Sequence, residues 1–142
     1  MAAGYDEAIE LIYFSWNKLV AEPDRLLARR GLGRVHHRIL YCIARGPGIT
    51  IGGLCRVLGV TKQALHQPLA AVIDARLVAR TVEPTNRRVR RLTLTTRGAQ
   101  LEERLAAVQR VRFERAFRAA GATAEAHWRE VMRLLAERAP PT

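Results

Sequence analysis

The stretch TIGGLCRVLGVTKQALHQPLAAVIDARLV, residues 50–78, decides the fold, because it predicts two short helices joined by a tight turn. Apolar residues recur at helical spacing over residues 51–58, the first helix. Gly59 and Val60 form the turn. Thr61 is a good N-cap for the second helix, since its hydroxyl can accept a hydrogen bond from a free N–H of the first turn. This is the pattern of a helix-turn-helix.

The second helix of the pair has an apolar and a polar face. Leu65, Leu69, Val72 and Ile73 form an apolar stripe at helical spacing. Hydrogen-bonding side chains lie outside that stripe, at the N-terminal end: Lys62, Gln63, His66 and Gln67. A helix that reads the DNA major groove needs such side chains there, so we predict that they and Thr61 contact DNA. The alternative is an ordinary solvated helix face.

Positive charge is concentrated around this helix pair. The chain carries 24 Lys and Arg against 13 Asp and Glu, a net charge of +11. Residues 31–98 hold +10 of that charge, residues 1–30 hold −1 and residues 99–142 hold +2. An arginine-rich genome would raise the charge of all three segments. The uneven distribution therefore indicates a surface that binds a polyanion.

Length and composition predict one globular domain over residues 1–142. Hydrophobic residues make up 49% of the chain, which excludes general disorder. No apolar run reaches the roughly 18 residues of a membrane helix, and the first residues lack the basic start of a signal peptide. We therefore expect a cytoplasmic protein without membrane contact.

Helices are predicted before the helix pair. Apolar residues at helical spacing predict a helix from residue 6 to about residue 21. Pro23 is expected to interrupt it and to open a short second helix over residues 24–30. Residues 34–45 carry a further apolar stripe, and the Gly-Pro-Gly sequence at 46–48 ends that helix.

A charged β-hairpin is predicted after the helix pair. Residues 77–83 and 89–95 are rich in Val and Thr, and residues 84–88 between them begin with Pro-Thr-Asn. Arginines populate the tip and the second strand: Arg87, Arg88, Arg90 and Arg91. Strand alternation sends the last two to opposite faces, so only one of them can touch DNA. We predict DNA contacts from the first three.

Two helices are predicted after the hairpin. Thr96 is expected to cap a long helix that ends near Gly121, and Thr123 to cap a last one. The aromatic residues on their stripes, with Trp16 near the N-terminus, are more apolar surface than a lone DNA-binding lobe needs. We therefore predict a homodimer through residues 5–30 and 96–139.

At this point the chain resembles the MarR family of winged helix-turn-helix transcription regulators. The residues that carry the resemblance are GLGRVHHRILYCIARGPGITIGGLCRVLGVTKQALHQPL (31–69) and ARLVARTVEPTNRRVRRLTLTTRGAQL (75–101). It implies a mainly α fold with a small β-hairpin wing, an α+β class. The winged DNA-binding lobe would span residues 34–95, and the dimer would bind double-stranded DNA at a pseudo-palindromic operator.

The resemblance also implies an effector site. Family members bind small aromatic or anionic effectors in a crevice between the dimer helices and the DNA-binding lobe. The residues expected to line such a crevice are Tyr13, Trp16, His36, His37 and Tyr41. The alternative for these residues is packing in the core and polar contacts at the dimer interface. No cofactor is expected.

Two positions depart from the family pattern. The family wing often has Asp-x-Arg, whereas this chain has Asn86-Arg87-Arg88, so the usual acidic partner of the wing arginine is missing. Pro68 lies inside the predicted recognition helix. It removes the hydrogen bond to the Ala64 carbonyl, and we expect the helix to bend there.

Other chemistries find little support. Cys42 and Cys55 fall on apolar helix faces and are expected to be small buried residues rather than a redox switch. The adjacent His36 and His37 point about 100° apart on a helix and have no further ligands nearby, which argues against a metal site. Ser15 is the only serine, and no catalytic motif is present, so we do not expect an enzyme.

The sequence therefore predicts a dimeric, sequence-specific DNA-binding transcription regulator. A repressor is favoured, with relief by a small aromatic effector as a further expectation. Two alternatives stay open: a non-specific, nucleoid-type nucleic-acid-binding protein, and a ligand-sensing or redox-sensing domain.

Overall fold

The computed structural model of the chain describes residues 2–137. Its elements in chain order are α1 (Ala2–Ala28), α2 (Arg34–Arg45), β1 (Ile49–Thr50), α3 (Ile51–Leu58), α4 (Lys62–Asp74), β2 (Val78–Glu83), β3 (Asn86–Leu94), α5 (Thr96–Ala120) and α6 (Ala122–Leu135). The mainly α fold with a small β-hairpin wing is confirmed. Residues 138 and 139 of the predicted terminal segment lie outside the described residues.

The predicted break in the first helix is wrong, because α1 runs through Pro23 without interruption. A proline inside a helix leaves the carbonyl four residues earlier without its partner. Here that carbonyl belongs to Leu19, and the side-chain Nε2 of Gln109 on α5 donates to it at 3.3 Å. Pro23 itself is fully buried. A contact from a distant helix thus replaces the lost bond and lets the helix continue.

The wing is larger than predicted. β1 was missed, and the three antiparallel strands lie in the order β1-β3-β2, with Ile49 opposite Leu92. β3 begins at Asn86 rather than at residue 89, so the turn is only Pro84-Thr85. Two of the predicted tip arginines, Arg87 and Arg88, therefore lie within β3, in a bulge between the Glu83–Asn86 and Val82–Arg90 pairs where they have no partner on β2.

Both predicted caps of the terminal helices are shifted. Thr95, not Thr96, caps α5, and its hydroxyl accepts from the Gly98 N–H at 3.0 Å. The same hydroxyl donates to the Arg76 carbonyl at 2.7 Å, which ties α5 to the end of the α4–β2 connection. α6 begins directly after Gly121, whose φ of 95° favours glycine, so Thr123 lies within the helix.

The core fills the space between α2, the helix pair, the sheet and the first turns of α5. Its buried members on these elements include Ile39, Leu40, Leu54, Leu65, Val72, Leu92, Leu101 and Leu105. Leu27 extends this core to the end of α1. In contrast, α6 has no buried residue. The winged lobe is therefore packed within the chain, whereas the terminal helices leave apolar surface open.

Candidate DNA-binding surface

The recognition helix α4 begins as the sequence predicted. The Thr61 hydroxyl accepts from the Ala64 N–H at 3.1 Å and so fixes the first turn. Leu65 and Leu69 are buried beneath the helix. The predicted reading residues all lie exposed on the opposite side: Lys62, Gln63, His66 and Gln67. The apolar stripe thus anchors α4 and leaves its first two turns free for a ligand.

Pro68 does not end the recognition helix. α4 continues through it to Asp74, and Pro68 is half-buried. The proline comes directly after Gln67, so the polar face lies on the uninterrupted turns before it. The bend expected from the lost bond to the Ala64 carbonyl stays a prediction.

The wing arginines differ in their exposure and in their hydrogen-bond and ion-pair partners. Arg87 and Arg88 are exposed at the start of β3, and within residues 2–137 neither forms an ion pair. The Asn86 side-chain oxygen accepts from the Arg88 N–H at 3.2 Å, which shapes the strand start. Arg90 is half-buried, and its guanidinium donates to the Arg87 carbonyl. These contacts leave the first two arginines the most available for phosphate.

Arg91 has a structural partner that the sequence analysis missed. Its guanidinium pairs with Glu83 across the hairpin and donates to the Gly48 carbonyl at 3.1 Å, next to β1. Position 86 has no acidic side chain in this protein. Glu83 on the opposite strand supplies one instead, and it holds Arg91 rather than the arginine at the wing tip. Residues 76–97 contain seven arginines and a single acidic residue, Glu83. That lone acid could have indicated that one of the arginines has an ion-pair partner.

The predicted effector residues are dispersed in the single chain. Tyr13 and Trp16 are exposed on the first half of α1. On α2, His36 caps its own helix, because its Nδ1 accepts from the Gly33 N–H at 2.9 Å. Tyr41 lies under the Arg45 guanidinium, whose central carbon is 3.5 Å from the ring centroid. Neither the groove between α5 and α6 nor the pocket at the end of α4 is lined by any of these side chains, so the expected effector crevice stays a prediction.

The α2–α5 contact contains Glu102, the one buried acidic residue in the described part of the chain. Glu102 on α5 accepts from Arg45 at 2.9 Å. Burial lowers the pKa of the neighbouring His37, and the carboxylates of Glu102 and Asp24 act against that shift. Burial likewise lowers the pKa of His36. Neutral imidazoles at neutral pH fit the polar packing role better than an anion-binding role.

The cysteines fit the inert role that was expected. Cys55 is buried in the core, and burial raises the pKa of the half-buried Cys42 thiol. A raised thiol pKa leaves less of the reactive thiolate. Within residues 2–137, no three His, Cys, Asp or Glu side chains come together as a metal site. No helix of the same residues is long and apolar enough to cross a bilayer.

Comparisons with known proteins agree with this architecture. Residues 30–89 match the model of the MarR family. The HTH-type transcriptional regulator PetP of Rhodobacter capsulatus is 44% identical over 126 residues, which cover 89% of this chain and 76% of PetP. An HTH-type transcriptional repressor of Mycobacterium tuberculosis is 33% identical over 100 residues, covering 70% of this chain and 72% of the repressor.

A solved structure shows the same fold. The crystal structure of Streptococcus pneumoniae FabT in complex with DNA superimposes with a TM-score of 0.81 at 17% identity, covering 94% of this chain and 95% of FabT. At that identity the likeness concerns the fold alone.

Proposed function

The chain belongs to the MarR family of DNA-binding transcription regulators rather than to any enzyme class, and on that premise we propose that it is a homodimeric, sequence-specific repressor. In this proposal two copies of α4 enter successive major grooves of a pseudo-palindromic operator. The two wings lie over the flanking DNA. A small effector that fits one arrangement of the dimer then controls operator affinity.

The observation that carries the proposal is the shared exposure of α4 and the wing. Gln63, His66 and Gln67 have both donors and acceptors for base edges, and Lys62 beside them suits a phosphate or a guanine. Thr61 fixes the helix start against the DNA backbone. Because they lack ion pairs within the described residues, Arg87 and Arg88 suit phosphates or the minor groove. Arg90 supports them through the Arg87 carbonyl.

The open apolar faces of the terminal helices support the dimer. On α1, Tyr5 is 74% and Ile9 66% exposed, and on α6, Leu134 is 73% exposed. Large apolar side chains exposed along two helices are unusual for a single soluble chain. A second copy of the chain is the simplest partner for these faces.

A groove between α5 and α6 suits the first half of α1 from the partner. Phe113, Phe117 and Trp128 line the groove, with ring centroids 5.3–5.6 Å apart, and its volume is about 730 Å³. Three arginines and two glutamates also line it, a formal charge of +1: Arg110, Arg118, Arg129, Glu114 and Glu125. The first half of α1 is apolar and carries acidic residues at positions 6, 7 and 10. The aromatic lining of the groove and its small excess of positive charge therefore support packing of α1 from one protomer in the groove of the other.

Effector control belongs to the same proposal. In the dimer, Tyr13 and Trp16 on α1 lie at the interface, while His36, His37 and Tyr41 face it from α2. A small aromatic molecule bound between them weakens operator binding only when it prefers one spacing of the two α4 helices. A molecule with equal affinity for both spacings would leave operator affinity unchanged.

Selection of genomic fragments tests the proposal. Protein is mixed with fragments of the source genome, bound fragments are sequenced, and affinity for the recovered motif is measured against excess unrelated DNA. We expect two inverted half-sites about one helical turn apart, bound about 10³-fold or more tightly than unrelated DNA. Equal affinity for all fragments would instead support the non-specific, nucleoid-type alternative.

A further inference from the structure

A second pocket lies where α1, α4 and α5 come together. Its volume is about 410 Å³, and it is an open surface depression, since its four charged lining residues are all exposed. It is lined by Arg30, Asp74, Ala75, Arg76, Leu77 and Arg97. The pocket has no aromatic side chain and only two apolar ones, so its chemistry is set by charge.

The charge of this pocket is only partly compensated, and the Arg30 guanidinium also donates to the Leu26 carbonyl at 3.1 Å. Arg30 follows α1, Arg76 follows α4, and Arg97 lies in the first turn of α5. Within residues 2–137 none of the three forms an ion pair, although Asp74 lines the same pocket. Three arginines against one carboxylate leave a formal charge of +2. Like charges around one concavity repel each other, and a bound anion removes that repulsion.

The backbone around the pocket is fixed by several contacts. Thr95 donates from its hydroxyl to the Arg76 carbonyl at 2.7 Å, and its N–H donates to the Leu77 carbonyl at 3.0 Å. Gly98 lies so close to Leu77 that a Cβ at position 98 would be 1.9 Å from the Leu77 carbonyl oxygen. Arg76 has a φ of 59°, a left-handed conformation that side-chain-bearing residues adopt rarely. The arginines thus project from a built junction rather than from a loose loop.

The pocket lies at the opposite end of the winged lobe from the predicted DNA contacts. α4 has 13 residues, and at about 1.5 Å per residue its first and last turns are roughly 18 Å apart. The pocket is at the last turn, whereas Lys62 and Gln63 are at the first. β2 likewise starts beside the pocket and runs six residues, roughly 20 Å, to the wing turn. A DNA duplex bound by α4 and the wing is therefore distant from this pocket.

We propose that this pocket binds a small polyanion, a metabolite carrying phosphate or several carboxylates. Guanidinium groups bind such oxygens with two parallel hydrogen bonds, and the free N–H groups at the start of α5 favour negative charge as well. The ligand joins the end of α1, the end of the recognition helix and the start of α5. As a regulatory site this rests on the proposed function, because the ligand then fixes how the winged lobe is held against the dimer helices.

The binding step is tested without DNA. Titration calorimetry with inorganic pyrophosphate, and separately with citrate, is performed at constant ionic strength on the full chain. We expect one saturable site per chain for at least one probe. Arg97→Gln and Arg76→Gln should each weaken binding about tenfold, the effect of removing one charge-assisted hydrogen bond. Asp74→Asn should tighten it, since the only opposing charge in the pocket is removed.

A wing variant is the matched control. Arg87→Gln combined with Arg88→Gln removes twice the charge of either pocket variant, from the DNA-binding end, and should still leave pyrophosphate and citrate affinity unchanged. If this control loses the site while the pocket variants keep it, the anion occupies the DNA-binding surface and the proposal is wrong. Absence of saturable binding for both probes, or weaker binding by Asp74→Asn, also overturns it.

Regulation is tested in a second step. At a saturating concentration of the bound probe and constant ionic strength, operator affinity should change at least threefold for the wild type and not for Arg97→Gln. Without the probe, Arg97→Gln should show the same salt dependence of operator affinity as the wild type, because Arg97 is distant from the phosphates. An unchanged operator affinity overturns the regulatory role while leaving the DNA-binding function intact.

Discussion

The winged lobe and the terminal helices use their apolar residues in opposite ways. In the lobe, α2 buries Ile39, Leu40 and Ile43 completely against the helix pair and the sheet. In the terminal region, α6 buries nothing, and the first half of α1 exposes Ile9 and Trp16. The charges differ as well, since residues 31–98 hold +10 of the net +11. The apolar core residues of the lobe are therefore covered within one chain and its surface is basic, whereas the terminal helices leave large apolar residues exposed.

The largest expected effect comes from comparing an exposed apolar residue of the terminal helices with one of the winged lobe. Ile9 on α1 is 66% exposed and Val57 on α3 is 64% exposed. Ile9→Asp should dissociate the dimer, because each copy loses the burial of a large side chain, about 1.5–3 kcal/mol, and gains a charge at the interface. Val57→Asp, the matched control, should leave the dimer intact. Light scattering at micromolar concentration gives the mass of both. A dimeric Ile9→Asp protein would place the interface elsewhere.

The second effect concerns the internal packing of the lobe. Gly98→Ala places a Cβ 1.9 Å from the Leu77 carbonyl oxygen, so the backbone must shift. We expect the free energy of unfolding to fall by about 3 kcal/mol, near the upper end for overpacking. Gly52→Ala on α3 is the control, since its Cβ would meet only the Arg56 guanidinium at 3.7 Å. Urea denaturation measures both. Equal stability of the two variants would show that α5 is not tightly packed on Leu77.

The smallest effect concerns the exposed charge of the wing. Arg87→Ala or Arg88→Ala should weaken binding to every DNA sequence, since phosphate contacts carry no sequence information. Each should also reduce the slope of log affinity against log salt by about one unit. Arg115→Ala on the exposed surface of α5 should change neither quantity. Unchanged salt slopes for both wing variants would mean that the wing does not touch DNA.

The fold could be predicted from the sequence where contacts are local, and not where they join distant residues. Local patterns were sufficient in the helix pair, where the Thr61 cap and the Leu65–Leu69 stripe act within one helix. They failed where a distant residue decides the outcome. Gln109 compensates Pro23 from across the chain, and β1 is a strand only because Leu92 pairs with Ile49. Neither partner can be identified from its local sequence.

The candidate site divides in the same way. The apolar stripe of α4 was sufficient to predict that the polar residues on the opposite side of its first turns are exposed. The distinction between Arg91, which is held by Glu83 and Gly48, and the free Arg87 depends on cross-strand geometry. The pocket formed by Arg30, Arg76 and Arg97 brings together residues from three separate elements. No spacing rule in the sequence connects them, so only the structure reveals it.

Base-by-base readout by α4 tests the central claim most directly. Operator affinity is measured at one salt concentration for the wild type, Gln63→Ala, His66→Ala and Gln67→Ala against operators that carry every single-base change. The account predicts that at least one variant loses about 1–3 kcal/mol of discrimination at particular positions, repeated symmetrically in both half-sites. Uniform weakening across all operators, with the same position preferences as the wild type, would contradict it.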